Sequence, residues 1–332
     1  MGDSAVGVPP MTIGAVVIGR NEGERLVTCL NSLAMSHVPV VYVDSGSSDG
    51  SVARARSLGA QTLELDPARP FSAARARNEG FVKAISEFPS IEFVQFVDGD
   101  CELIPGWITE AKEFLERSPE VAIVCGRLKE RHPGASIYNR LCSMEWDAGH
   151  GESSACGGIA MVRTAAFQSL GGFRADLIAG EEPELCVRLR AVGWKVWRLD
   201  ADMALHDAAM TRFGQWWRRA VRAGYAFAEG AYLHGAAPER HWVRESRRAL
   251  VWGILFPFGI IVLAAMDLRW LLLFLAYPAQ IVRLALTGGR APGDNWLQAV
   301  FWVLGRFPEG VGQVKFLLNR ILGRRHVLIE YK

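Results

Sequence analysis

The stretch Ile91-Glu92-Phe93-Val94-Gln95-Phe96-Val97-Asp98-Gly99-Asp100 is an apolar run that stops on two carboxylates. Its length and its closing Asp-Gly predict a buried strand ending in a turn. A second such run, Val38 to Val43, ends in Asp44 and the turn Ser45-Gly46-Ser47-Ser48-Asp49-Gly50. In an open α/β sheet, ligands bind outside the carboxyl ends of the strands, so two strands deliver acid to one rim. Carboxylate oxygens placed this way suit a hard divalent cation, Mn2+ or Mg2+, that keeps some waters and completes its shell with substrate phosphate oxygens. Asp-Gly is also a common turn dipeptide, and taken alone the pair reads equally well as turn-forming aspartates.

Working outward, short β-type runs alternate with helical stretches through the first hundred residues, the pattern of a mainly parallel, Rossmann-like α/β sheet with helices on both faces. Strands are expected at Thr12 to Ile18, Val38 to Val43, Gln61 to Leu65 and Phe93 to Val97, and helices at Glu24 to Met35, Ser51 to Leu58 and Ser72 to Ile85. Beyond Pro105 the sequence predicts a helix to Ser118, a strand from Val121 to Leu128, and a polar, irregular stretch from Lys129 to Gly158 suited to binding loops. Between Gly180 and Gly193 a further helix is expected, with Pro183 at its first position and Gly193 just past its end. Glu181 and Glu182 then lie at the helix N-terminus, where the macrodipole favours ionised carboxylates. A solvated acidic first turn is the ordinary meaning of such residues.

Five motifs follow in order: Val16-Val17-Ile18-Gly19-Arg20-Asn21-Glu22-Gly23, Val43-Asp44-Ser45-Gly46-Ser47-Ser48-Asp49-Gly50-Ser51, Ala74-Arg75-Ala76-Arg77-Asn78-Glu79-Gly80, Asp98-Gly99-Asp100 and Gly180-Glu181-Glu182. That series resembles family 2 glycosyltransferases, with their GT-A nucleotide-sugar-binding fold, over about residues 11 to 235. Two departures stand out: a glycine separates the acids of the Asp-Gly-Asp motif, and the usual Glu-Asp is here Glu181-Glu182.

The resemblance implies an inverting, metal-dependent transfer of a sugar from a nucleotide diphosphate donor. It assigns the general base to Glu182, with Glu181 orienting loops or the acceptor. Asp44 would recognise the base, with UDP foremost and GDP or dTDP open, while Glu22, Arg77 and Asp98 complete donor binding. Asp98 and Asp100 would hold the divalent cation, and His206, which follows the expected strand Lys195 to Leu199, supplies a further ligand as in several family members. Arg75 and Arg77 are two residues apart on one helix and therefore face different ways. Only Arg77 is expected to reach the diphosphate, and Arg75 has the default reading of a surface charge.

Composition fits and narrows this reading. Lys+Arg 37 against Asp+Glu 35 leaves a net charge of +2, which gives no basis for nucleic-acid binding, while 50% hydrophobic residues is apolar for a soluble enzyme. Cys29, Cys101, Cys125, Cys142, Cys156 and Cys186 show no Cys-x-x-Cys spacing and read as reduced, buried thiols. Met1 to Pro10 has no apolar core of a signal peptide, so the catalytic part is expected in the cytoplasm.

From Arg212 the chain turns aromatic and basic, with a stripe at positions 213, 216, 217, 220 and 224 that suits a core, an interface or a membrane surface. Ala249 to Met266 carries no charge and at about 1.5 Å per residue spans roughly 27 Å, barely a bilayer core. A second uncharged run, Trp270 to Val282, follows Asp267-Leu268-Arg269. Residues 236–332 thus read as a helical membrane-anchoring region, with 296–318 interfacial. Arginines at 240, 244, 247, 248, 283, 290, 320, 324 and 325 keep both ends of a hairpin at the cytoplasmic face of the inner membrane. Pro257 and Pro278 also permit a re-entrant or in-plane arrangement, and a buried helical hairpin of a soluble protein is the remaining alternative. The acceptor implied is lipid-linked or another membrane-associated glycan. Two rival classes are a sugar-phosphate nucleotidylyltransferase, whose glycine-rich loop with Arg and Lys is missing after the first strand, and a non-catalytic nucleotide-sugar binder, which would not need all four of Asp44, Asp98, Asp100 and Glu182.

Overall fold

Alternating apolar runs and helical stretches resolve, in a computed structural model of the chain that describes residues 12–323, into Ile13–Gly19 (β1), Glu24–Ala34 (α1), Val40–Asp44 (β2), Ser51–Ser57 (α2), Gln61–Glu64 (β3), Ala73–Glu87 (α3) and Phe93–Asp98 (β4). There follow Cys101–Leu103 (β5), Trp107–Arg117 (α4), Val121–Glu130 (β6), Ile137–Trp146 (α5), Gly151–Glu152 (β7), Ala160–Arg163 (β8), Thr164–Ser169 (α6), Glu181–Ala191 (α7), Lys195–His206 (β9) and Phe213–His234 (α8). The expectations for Met1 to Pro10, Arg324 and Arg325 lie outside the described residues. Two units are distinguished. One comprises the chain to Arg131, Trp146–Ala175 and Glu182–Asp207, and the other His132–Glu145, Asp176–Glu181 and the chain from Ala208.

The first unit is built on one sheet of order β3-β2-β1-β4-β8-β6-β9-β5, with β7 added alongside β9. Strands β1 to β4 are parallel, and β8 runs antiparallel to both β4 and β6. Because the chain builds outward from β1 through β2 to β3 and returns to place β4 on the other side of β1, the strand order reverses between β1 and β4. That reversal opens the crevice in which α/β sheets bind ligands. β1 and β4 are almost wholly buried, which is why they read as continuous apolar runs rather than alternating ones. α3 can lie close on the sheet because Gly80 leaves room: a Cβ there would meet Val16 Cγ1 at 2.5 Å and Val43 Cγ2 at 2.6 Å.

Three expectations are corrected. The stretch Lys129 to Gly158 is not irregular throughout, since it contains α5, whose first turn is capped by Ser136 Oγ accepting from the Asn139 amide at 3.0 Å. Strand β9 continues to His206 instead of stopping at Leu199, because Asp200 and Asp202 face outward to Arg127 and Lys129 of β6 while Ala201 and Met203 alternate inward. Pro183 occupies the third rather than the first position of α7, still within the turn whose amides need no partner.

In the second unit α8 packs on the helix Arg306–Ile321 at glycines. A Cβ on Gly224 would overlap the Glu309 carbonyl, one on Gly312 would overlap that of Val221, and Gln313 Nε2 donates to the Gly224 carbonyl at 2.9 Å. Tyr225 and Phe316 close the contact edge to face, with centroids 5.4 Å apart. Among the described residues two helices are long and apolar enough to cross a membrane, Val243–Ala264 with 22 residues and Leu268–Thr287 with 20. They lie side by side: the Tyr277 ring sits 5.8 Å from Phe256, and its hydroxyl donates to the Trp252 carbonyl at 2.6 Å.

Candidate active site

The rim left by β1, β2 and β4 is shaped first by its turns. Asp44, at the end of β2, is buried with 2% of its surface exposed. Its Oδ2 accepts from the amides of Gly46 and Ser47 at 2.9 and 2.7 Å, and its Oδ1 from the Tyr42 hydroxyl at 2.9 Å. Burial and then the Asp44 charge hold the Tyr42 phenol above its usual range, so it remains a donor. The carboxylate therefore organises the glycine-serine turn from inside. Asn21 and Ser47 tie the β1 turn to it, through Asn21 N to Ser47 Oγ at 2.9 Å and Ser48 N to Asn21 Oδ1 at 2.8 Å.

Both motif arginines of α3 are buried, at 4% and 2% exposure, which corrects the reading of Arg75 as a surface charge. Arg75 Nε pairs with Glu79 Oε1 at 2.7 Å while its Nη1 reaches the carbonyls of Asp66 and Arg69 at 3.1 and 2.8 Å, pinning the loop before α3. Arg77, on another face, reaches Asp98 Oδ1 with Nη2 and Glu182 Oε1 with Nη1, each at 2.8 Å. One guanidinium thus draws together two acids 84 residues apart in sequence (182 − 98). The backbone of Gly158 lies against this bridge: a Cβ there would overlap the Arg77 guanidinium and stand 2.7 Å from Glu182 Oε1. Glu181 is itself buried in the first turn of α7.

Across the crevice, Asp100 meets His206, Oδ2 to Nε2 at 3.2 Å, because β5 and β9 pair Cys101 with His206 in antiparallel register. Cys101 donates its thiol to Asp100 Oδ1 at 3.5 Å. Asp100, Cys101 and His206 offer ligand atoms all within 4.8 Å of one another. Burial first, then the Asp98 charge, holds the Cys101 thiol well above the usual thiol range, so the donor set a cation would meet is a carboxylate oxygen and an imidazole nitrogen. Two adjacent ligands of an octahedral cation, at about 2.1 Å each, lie roughly 3 Å apart, which is the spacing seen between Asp100 and His206. The residues fit a divalent cation of the Mn2+ or Mg2+ kind.

Sequence reasoning missed several residues here. Arg25 salt-bridges Glu22 at 2.6 Å and comes within 4.0 Å of Asp207 Oδ2, linking two rim acids. Arg131 pairs with Glu102, and its amide donates to the His206 carbonyl at 2.8 Å. Trp146 stacks on the His206 ring with centroids 4.7 Å apart. Nothing in local sequence marks Trp146 or Gly158, because both reach the site only through tertiary folding.

Residues 15–170 match the family model described as glycosyl transferase family 2. A TPR repeat-containing protein of Synechococcus elongatus is 31% identical over 136 residues, covering 41% of this chain and 32% of that protein. The chain therefore spans about a third of the length of that curated relative. Among solved structures, a mannosyltransferase from Pyrobaculum calidifontis in complex with GDP-Man and Mn2+ shares the fold, with a TM-score of 0.65 and 20% identity over 94% of this chain and 88% of that one. Glucosyl-3-phosphoglycerate synthase from Mycobacterium tuberculosis, in complex with Mn2+, UDP and glucosyl-3-phosphoglycerate, matches 69% of this chain and 81% of its own at a TM-score of 0.47 and 17% identity.

Proposed function

We propose that this protein, whose residues 15–170 match the family model described as glycosyl transferase family 2, is an inverting, metal-dependent glycosyltransferase that moves a sugar from a nucleotide diphosphate donor, UDP-linked foremost, to a membrane-associated acceptor in glycan synthesis. The observation that carries the reading is the Asp98-Arg77-Glu182 bridge, which sets a base candidate one guanidinium away from the strand end that also bears Asp100.

In this reading Glu182 takes the proton of the acceptor hydroxyl as its oxygen attacks the anomeric carbon, and Arg77 holds that carboxylate in place. Asp98 and Glu22 bind the donor with Arg77, and Asp44 sets the turn that meets the base. Asp100 and His206 hold the divalent cation, with Asp98 beside them. A cation bound there supplies charge neutralisation for a diphosphate leaving group. Glu181 positions loops or the acceptor.

Membrane attachment is supported by the two apolar helices and by their exposure: Phe258 is 65% and Met266 83% exposed, and Leu268, Leu272 and Leu286 are likewise open. A patch this large on a soluble surface marks an interaction site, and its composition suits lipid. The proposed place is the cytoplasmic face of the inner membrane, with residues 236–332 as the anchoring region of a catalytic domain reaching to about residue 235.

A thermal-shift screen of nucleotide sugars on the full chain in detergent, with and without Mn2+, tests the class. A UDP-sugar that raises the melting temperature only with metal, and fails to do so in Asp100→Ala, is the expected result. Stabilisation by a GDP- or dTDP-sugar instead would reassign the donor, and stabilisation or turnover that persists in EDTA would remove the metal from the reading.

A further inference from the structure

We propose that Trp146 is a positioning residue that fixes the ring plane of His206 for metal binding. The inference rests on the metal reading above and concerns a residue that plays no part in it so far.

The backbone of His206 is fixed on both sides. Its Cα pairs with Cys101 across β5, its carbonyl accepts from the Arg131 amide at 2.8 Å, and the next amide, of Asp207, donates to the Asp100 carbonyl at 3.2 Å. The Asp100 contact sets where Nε2 lies, and the plane of the ring is a second requirement. Rotation about the Cβ–Cγ bond would swing the nitrogen lone pair away from the direction a cation requires. The Trp146 indole prevents this. It lies stacked on the imidazole with centroids 4.7 Å apart and planes inclined by 25°. Trp146 is itself placed by being the last residue of α5, where the chain leaves the helix and the Ala148 amide folds back onto the Trp146 carbonyl at 2.9 Å. Groups that orient a ligating histidine govern metal affinity almost as strongly as the ligands do, typically by about 10- to 100-fold.

The test measures Mn2+ binding to the full chain in detergent, without donor, by the electron paramagnetic resonance signal of free Mn2+. Trp146→Ala should weaken Mn2+ binding by about 10-fold or more, and Trp146→Phe, which keeps a ring over the imidazole, should restore it to within about 3-fold. His206→Ala should weaken it at least as much as Trp146→Ala. If Trp146→Ala does not fold, Trp146→Leu, which keeps bulk without a ring plane, takes its place with the same expectation. A tryptophan that merely fills space would lower the melting temperature and leave the Mn2+ affinity of the folded protein unchanged, and that result would overturn this inference alone. A wild-type protein that binds no Mn2+, or a His206→Ala variant that binds it normally, would overturn the metal assignment and this inference with it.

Discussion

Arg77 and Glu182, 105 residues apart in the chain, meet at 2.8 Å through a guanidinium that also holds Asp98 at 2.8 Å. The arginine is buried while both acids keep partial access to the crevice, with side-chain exposures of 33% for Asp98 and 18% for Glu182. A buried guanidinium with two carboxylates is costly to break from either end, since a charge would be left without its partner. The pairing therefore fixes where Glu182 stands before any ligand arrives.

Glu182→Gln should cut turnover by about 10²- to 10⁴-fold, the range for loss of a general base, while donor affinity stays near that of the wild type. Glu181→Gln should retain most activity. Single-turnover rates and donor titrations on both variants decide the assignment, and a crippled Glu181→Gln beside an active Glu182→Gln would exchange the two roles.

Gly158→Ala offers a change that touches the bridge without altering any charge. The added methyl would overlap Arg77 and crowd Glu182 Oε1 at 2.7 Å, and Arg77 is too firmly held at both ends to swing aside. Displacing a catalytic group by about 1 Å can cost on the order of 10²-fold in rate, so kcat should fall by about that factor. Gly157→Ala, where a Cβ meets nothing within 4 Å, is the control and should leave kcat unchanged. Equal rates for the two variants would mean that the bridge does not position the base.

A pH dependence is expected in the second unit. Burial pushes Glu309 up from its ordinary 4.5 to about 7, with Glu145 and Glu245 adding to the rise and Arg306, paired at 2.7 Å, opposing it. A carboxyl whose folded value is raised contributes stability that is complete below about 4.5 and is lost as pH climbs through about 7. The loss is on the order of 3 kcal/mol at most. Melting temperatures of the full chain should therefore decline across that window, and Glu309→Gln should flatten the decline. An unchanged slope in the variant would assign the pH effect elsewhere.

Much of the nucleotide half was legible because its signals are local. The runs at β1 and β4 are apolar on both faces, and each ends at a turn residue whose chemistry declares the strand end. Asp98, Asp100 and Glu182 could be singled out for the same reason, since acids at strand and helix ends are visible in sequence. What stayed hidden depends on contacts between distant segments. Arg75 looks like any surface arginine until the loop of Asp66 to Pro70 closes over it, and Cys101 comes within reach of His206 only through the β5 to β9 register. The longer β9 did carry a signal, the alternation of Asp200, Ala201, Asp202 and Met203, but its charges suggest a loop unless Arg127 and Lys129 are known to stand opposite.

Topology of the apolar helices can be read with introduced cysteines, because all six native cysteines are buried and none is in a disulfide. Burial pushes the Cys186 thiol up to about 12 and the Cys29 and Cys101 thiols well above their usual range, and although the hydrogen bond with Cys156 lowers the Cys125 thiol, that residue is enclosed in the core, so the native background towards maleimides should be low. The helices Val243–Ala264 and Leu268–Thr287 join at Asp267, and the chain leaves the second of them at Gly288. In a hairpin that crosses the bilayer, Asp267→Cys should react with an impermeant maleimide added to intact cells, and Gly289→Cys only after permeabilisation. In an in-plane arrangement both should need permeabilisation. Labelling of Gly289→Cys from outside intact cells would place the exit of the second helix on the far side and overturn the argument that the flanking arginines keep both ends in the cytoplasm.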